Sequence, residues 1–187
     1  EARARGAFAP RFVRDGQVLD VAQGPGGDDA ALRPNALLAL SLPHAPLRAP
    51  GPVRAARTHL LTSLGLRSLT PTEPGFRGRH RGAPAERDAA YHQGTVWPWL
   101  IGPFVAASLR VGEPVEGVLD GLEAHLGEWG LGSVSETADG DPPHACTGCP
   151  FQAWSVAEVL RVRRSVASDQ AVAARSLLTA AGRPRTP

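Results

Sequence analysis

The stretch Thr95–Val111, "TVWPWLIGPFVAASLRV", decides how the fold is read. Trp97, Leu100, Ile101, Phe104, Val105, Ser108 and Leu109 recur at i, i+3, i+4, i+7 and i+8, the stripe of an amphipathic helix facing a core. Pro98 falls in the first turn, where a missing N–H costs little, and Pro103 is expected to bend the helix. Similar spacing lies on both sides. "RPNALLALSLPH" reads as a nearly all-apolar buried helix from about Pro34. "PVRAARTHLLTSL" places Val53, Ala56, Leu60, Leu61 and Leu64 on one face. "PVEGVLDGLEAHLGEW" does so with Val115, Val118, Leu119, Leu122, Leu126 and Trp129, and "FQAWSVAEVLRV" gives the next helix.

Between these helices the chain is broken by Gly and Pro. "AFAPRFVRDGQVLDVA" reads as a short hairpin or extended entry around an Asp-Gly turn. Residues 65–90 form a long polar connection, and loops of that length inside a domain are usually functional or disordered. A further helix is expected around "AVAARSLL" before the terminal "GRPRTP". No strand–helix alternation appears, which argues against a parallel α/β sheet. The expected architecture is all-α: antiparallel helical hairpins with long rim loops over residues 1–164, and a tail over 165–187.

Composition narrows the function. The chain of 187 residues is 42% hydrophobic and 20% charged, ordinary for one globular domain. No window is long and apolar enough to span a bilayer, so no membrane partner is expected. The net charge is +2, and every basic residue is Arg, which we read as coding bias. Arg77, Arg79 and Arg81 are the one tight basic cluster, in a glycine-rich loop. A nucleic-acid footprint needs a continuous basic face, so no nucleic acid is expected. No Met is present, even at position 1, so the sequence reads as a piece of a longer protein. Cys146 and Cys149, in "HACTGC", offer with His144 three zinc-type ligands and no obvious fourth. Loop cysteines are the plainer reading, with a redox pair or a zinc site as alternatives.

Two segments concentrate chemistry. "GSVSETADGDPPHACTGCPFQAWS", residues 132–155, sets Glu136, Asp139, Asp141 and His144 in an irregular loop and runs into a helix carrying Trp154. Asp and Gly suit turns for backbone reasons alone. A fixed carboxylate at the rim of a cleft also suits acid–base chemistry, and glycoside hydrolysis commonly uses two carboxyl groups. "AYHQGTVWPWL" brings Tyr91, His92 and Gln93 before Trp97 and Trp99. Aromatic walls with a few placed polar groups make a sugar pocket. Trp97 and Trp99 would face different sides of a helix, so at least one is expected in the core. Arg33 and Asn35 open the "RPN" segment as possible ligand contacts at a helix N-terminus, where Asn also caps.

In this order, "RPNALLALSLPHAPL", "LLTSLGLRSLTPTEP", "RDAAYHQGTVWPWLIGPF" and "SETADGDPPH…GCPFQAWSVAEVLR" resemble the C-terminal glucosidase domain of glycogen debranching enzymes, the amylo-alpha-1,6-glucosidase family. The resemblance covers about residues 8–163. It implies an (α/α)6 toroid, present as roughly its C-terminal half, whose missing N-terminal half would be its partner. It also implies inverting hydrolysis of α-1,6-linked glucose on glycogen or a limit dextrin, in the cytoplasm and without a cofactor. Glu136 matches the general base; His92, Gln93, Trp97, Gln152 and Trp154 fall on pocket positions, and Arg33, Asn35, Trp99 and Asp139 are taken with them as substrate contacts. Ala36, Ser63, Thr137 and Ala138 depart from the usual residues, and the family's "TWMDA"-like acid motif has no counterpart here. The general acid is therefore expected to be absent and the isolated chain inactive. Alternatives are a trehalase-like or glucoamylase-like glycosidase, a non-catalytic carbohydrate-binding remnant, and a zinc-binding helical module.

Overall fold

The computed structural model describes residues 1–181, with side chains through Asp169. Among them run α1 (Ala2–Phe12), β1 (Val13–Arg14), β2 (Gln17–Val18), β3 (Val21–Gly24) and β4 (Gly27–Asp29). A 3-10 turn, Pro34–Leu37, leads into α2 (Leu38–Ser41), then α3 (Pro50–His59), β5 (Leu61–Thr62), β6 (Gly65–Arg67) and α4 (Pro84–Tyr91). β7 (Val96–Trp97) and a second 3-10 turn, Pro98–Leu100, precede α5 (Ile101–Val111) and α6 (Asp120–His125). β8 (Thr137–Ala138), β9 (Cys146–Thr147) and α7 (Ala153–Ala181) complete the order.

The all-α toroid is overturned. The chain is mixed α/β: beside its helices stand two two-stranded hairpins and a five-stranded antiparallel sheet ordered β5-β6-β7-β8-β9. The physical reason is local. "HLLTSLGL" has apolar residues at helical spacing, but α3 stops at His59 and the chain reverses through a hairpin pairing Leu61 with Leu66. Thr62 drives that reversal: its Oγ1 accepts from Leu64 N at 3.2 Å and donates to Gly65 O at 3.0 Å. Likewise Trp97 opens the stripe 95–111 as a strand residue, with Leu66 as its cross-strand partner. Strands of two or three residues are too short to show a period of two, so their apolar residues were absorbed into neighbouring helical patterns.

The helical core is nearer to expectation. Leu100, at the end of the preceding 3-10 turn, and Ile101, Phe104, Val105 and Ser108 along α5 are all buried, and α5 packs against α2, α3 and α7. Phe104 is fully buried, with the Arg57 guanidinium 5.1 Å from its ring centroid. Pro103 lies in the first turn of α5, where its missing N–H removes no intrahelical bond. The "RPNALLALSLPH" helix is short and half-exposed: Leu37 and Leu40 are buried while Leu38 and Leu42 face solvent. "PVEGVL" stays irregular, and only Asp120–His125 is helical there. The Asp15-Gly16 turn does close a hairpin, Val13 opposite Val18, but a helix rather than a strand precedes it. The long connection 65–90 holds β6 and α4. α7 runs unbroken through "AVAARSLL"; "GRPRTP" lies outside the described residues. No described helix is long and apolar enough to cross a membrane.

Candidate active site

The loop after α4 makes one wall. Pro84 starts α4 with its fixed φ, and Glu86 Oε2 accepts the Ala83 N–H at 2.7 Å, so the helix begins cleanly and ends at Tyr91. The chain then turns through His92-Gln93-Gly94. Gly94 has φ +133°, and a Cβ there would stand 2.6 Å from the Phe76 ring and 2.7 Å from Arg77 O. Only glycine lets "FRG" lie against "HQG" at that distance.

A cleft of about 460 Å³ opens beside this turn, within the usual range for small-ligand sites. Its aromatic side is His92, Trp97, Trp99 and Trp154. The His92 ring stacks on Trp97, 5.7 Å between centroids and 5° from parallel. Trp154 meets Trp97 edge-on at 6.3 Å and Trp99 at 5.1 Å. Trp97 is buried and anchored, its Nε1 donating to Tyr91 O at 3.0 Å; Trp154 is 49% exposed.

The polar side is a network. Arg33 Nη1 donates to Ser68 O at 3.1 Å and His92 O at 2.6 Å, and Nη2 donates to Gln93 Oε1 at 2.5 Å. Its Nε faces Asp20 Oδ2 at 3.5 Å, and Asn35 Nδ2 donates to Asp20 Oδ1 at 2.6 Å. Arg33 thus ties together segments that are distant in sequence, using the fixed fork of its guanidinium. Arg33, Asn35, His92, Gln93, Trp97, Trp99 and Trp154 all line the cleft.

Glu136 is not among the residues that line the cleft; it is joined to the wall through Tyr91, whose ring packs edge-on against Trp97. Tyr91 Oη donates to its Oε1 at 2.5 Å, and Cys149 N–H donates to its Oε2 at 2.9 Å. Burial first, and Glu136 second, push the Tyr91 phenol up to about 12. Two contacts leave further lone pairs on the carboxylate free to accept from water. The remaining expected contacts lie elsewhere. Asp139 is buried, with Oδ1 accepting His80 N–H at 3.0 Å and Oδ2 facing Arg81 Nη2 at 2.7 Å. It straps the arginine-rich loop to β8 and is not part of the cleft wall. Arg79 faces Asp141 in the same way. Gln152 sits ahead of α7, its N–H bonded to Val134 O at 3.0 Å, and is not a wall residue.

Sequence reasoning missed Asp20, Asp29, Ser68 and Asp88, which also line the cleft. Asp88 carried a signal, since it lies one helical turn before His92. Asp20 and Asp29 flank the β3–β4 hairpin, and nothing local says where that hairpin docks. No group of three or more His, Cys, Asp or Glu among the described residues is placed to hold a metal ion. Instead Cys146 Sγ lies 3.4 Å from His125 Nδ1, and His144 Nδ1 lies 3.0 Å from Asp139 O.

The family model described as amylo-alpha-1,6-glucosidase matches residues 1–161. A search of curated proteins finds no match.

Proposed function

The chain belongs to the amylo-alpha-1,6-glucosidase family and is a glycosidase-related domain, and from that premise we propose that it takes part in inverting hydrolysis of α-1,6-linked glucose on a branched α-glucan. Glu136 is the general base. The observation that supports this is its double anchorage: a carboxylate held by Tyr91 and Cys149 N–H, adjacent to an aromatic cleft, has a fixed direction and remaining lone pairs for a water. Trp99, Trp154 and His92 offer faces to a sugar ring, with the buried Trp97 as their anchor, and Arg33, Asn35 and Gln93 hold the polar edge that meets its hydroxyls. In the step, water oxygen attacks the anomeric carbon while Glu136 accepts the water proton, the C1–O6 glycosidic bond breaks, and the departing O6 takes a proton from a general acid that is not among the residues assigned here. The family's acid motif has no counterpart in this sequence, so the assignment here is confined to the base.

The test compares the natural protein with Glu136→Gln for glucose release from a limit dextrin. Wild type releases glucose, and the variant loses roughly 10²-fold or more while still binding oligosaccharide. Equal rates would remove Glu136 from the reaction.

A further inference from the structure

We propose that Tyr91 is the positioning residue of the base, a hydroxyl that fixes the Glu136 carboxylate relative to the aromatic wall of the cleft. The inference rests on the reading of Glu136 as base. Three observations carry it. The first is the two-sided grip, since each carboxylate oxygen has its own donor: Tyr91 Oη on Oε1 and Cys149 N–H on Oε2. One donor would leave the group free to swing about the other; two from separate elements do not.

The second is that Tyr91 is itself immobilised by the cleft. Its ring meets Trp97 edge-on at 4.6 Å, His92 at 5.0 Å and His80 at 5.3 Å. Its carbonyl accepts the Trp97 indole N–H. The same residue therefore contacts the wall offered to the sugar and the carboxylate offered to water. With its phenol pushed up to about 12, chiefly by burial, it stays a donor throughout neutral pH.

The third concerns "CTGC", whose Cys146 and Cys149 are both free thiols. Gly148 has φ +71°, and a Cβ there would stand 2.6 Å from Glu136 Oε2. A glycine at 148 is what lets the following N–H reach the carboxylate. The motif supplies the second half of the grip.

Tyr91 is the single tyrosine in the chain, so a [13Cζ]tyrosine label reports it alone. At pH 7 that resonance moves in Glu136→Gln, which replaces the carboxylate that Tyr91 Oη meets, while Asp88→Asn moves it less. Tyr91→Phe lowers kcat on limit dextrin by roughly 10- to 100-fold, the size of one charge-assisted hydrogen bond, with KM within about twofold. A resonance unchanged in Glu136→Gln overturns the contact. A Tyr91→Phe kcat equal to wild type, with Glu136→Gln inactive, overturns the positioning role alone. Wild type without glycosidase activity overturns the base assignment, and the role of Tyr91 falls with it.

Discussion

Among the described residues, two of the clefts, of about 460 Å³ and about 540 Å³, have walls that differ in kind. The first is lined by stacked aromatic faces and by polar groups tied into a network around Arg33. The second is lined by Ser63, Leu64, Gly121, Ala124, Glu128, Trp129 and residues 143–146. Behind it the fully buried His125 accepts the Ser135 N–H through Nε2 at 3.2 Å, which fixes the proton on Nδ1, facing Cys146. A histidine so engaged cannot take the thiol's proton, and burial pushes the Cys146 thiol up. In the second cleft burial thus favours the protonated thiol of Cys146. Volume is shared by the two; the Arg33 network and the aromatic faces belong to the first.

The sharpest way to break that contrast is Trp97→Ala, because Trp97 is both cleft wall and core. It is 6% exposed and sits mid-sheet in β7, so its loss should cost about 3–5 kcal/mol, read as a lower midpoint in chemical denaturation. A variant of near wild-type stability would mean that the sheet does not depend on the wall. Next comes the other side. His125→Leu removes the acceptor of the Ser135 N–H and leaves it buried and unpaired, at about 1–3 kcal/mol. Oligosaccharide affinity, read by titration calorimetry, should stay as it was; a large fall would make the second cleft part of the sugar site.

How far these walls were legible follows from the same residues. α5 was readable because Ile101, Phe104, Val105 and Ser108 keep one period over a buried face. The sheet was not, since β5 to β9 have two or three residues each and derive their pairing from partners up to tens of residues away, as with Val96 and Ala138. The site was legible as segments: "RPN", "YHQGTVWPW" and "QAW" do bring Arg33, Asn35, His92, Gln93, Trp97, Trp99 and Trp154 to one cleft. Asp139 reads in the sequence as a turn-former and, by resemblance, as a substrate contact; the structure buries it away from the cleft wall. Its burial comes from Arg81, nearly sixty residues upstream, which no local pattern announces.

A smaller effect sharpens the contrast on the first side. Trp154 is half-exposed at the start of α7, so Trp154→Ala should leave stability within about 0.5 kcal/mol. Oligosaccharide binding should weaken by roughly 2- to 10-fold, the worth of one aromatic contact. If stability falls and affinity does not, Trp154 is a packing residue and the wall is shorter than it looks.

The smallest effect lies at the junction. His80 donates its backbone N–H to Asp139, its Nδ1 lies 3.1 Å from Thr147 Oγ1, and its ring lies against Tyr91. It thus touches the strand that carries Cys146 and the residue that grips Glu136. Burial first and Arg87 second hold its imidazole below the ordinary 6.5, against the opposing pull of Glu136, Asp139 and Asp88. In the unfolded chain the ring takes a proton near 6.5; in the folded chain it resists. The stabilisation from a neutral His80 is therefore fully present above 6.5 and is lost as pH falls below it. The wild-type Tm should drop between pH 7.5 and 5.5 by more than that of His80→Gln, measured in the same buffers. Equal drops would mean that the ring is protonated as readily when folded as when unfolded. The contacts that seat it between the two clefts would then need to be redrawn, beginning with its bond to Thr147.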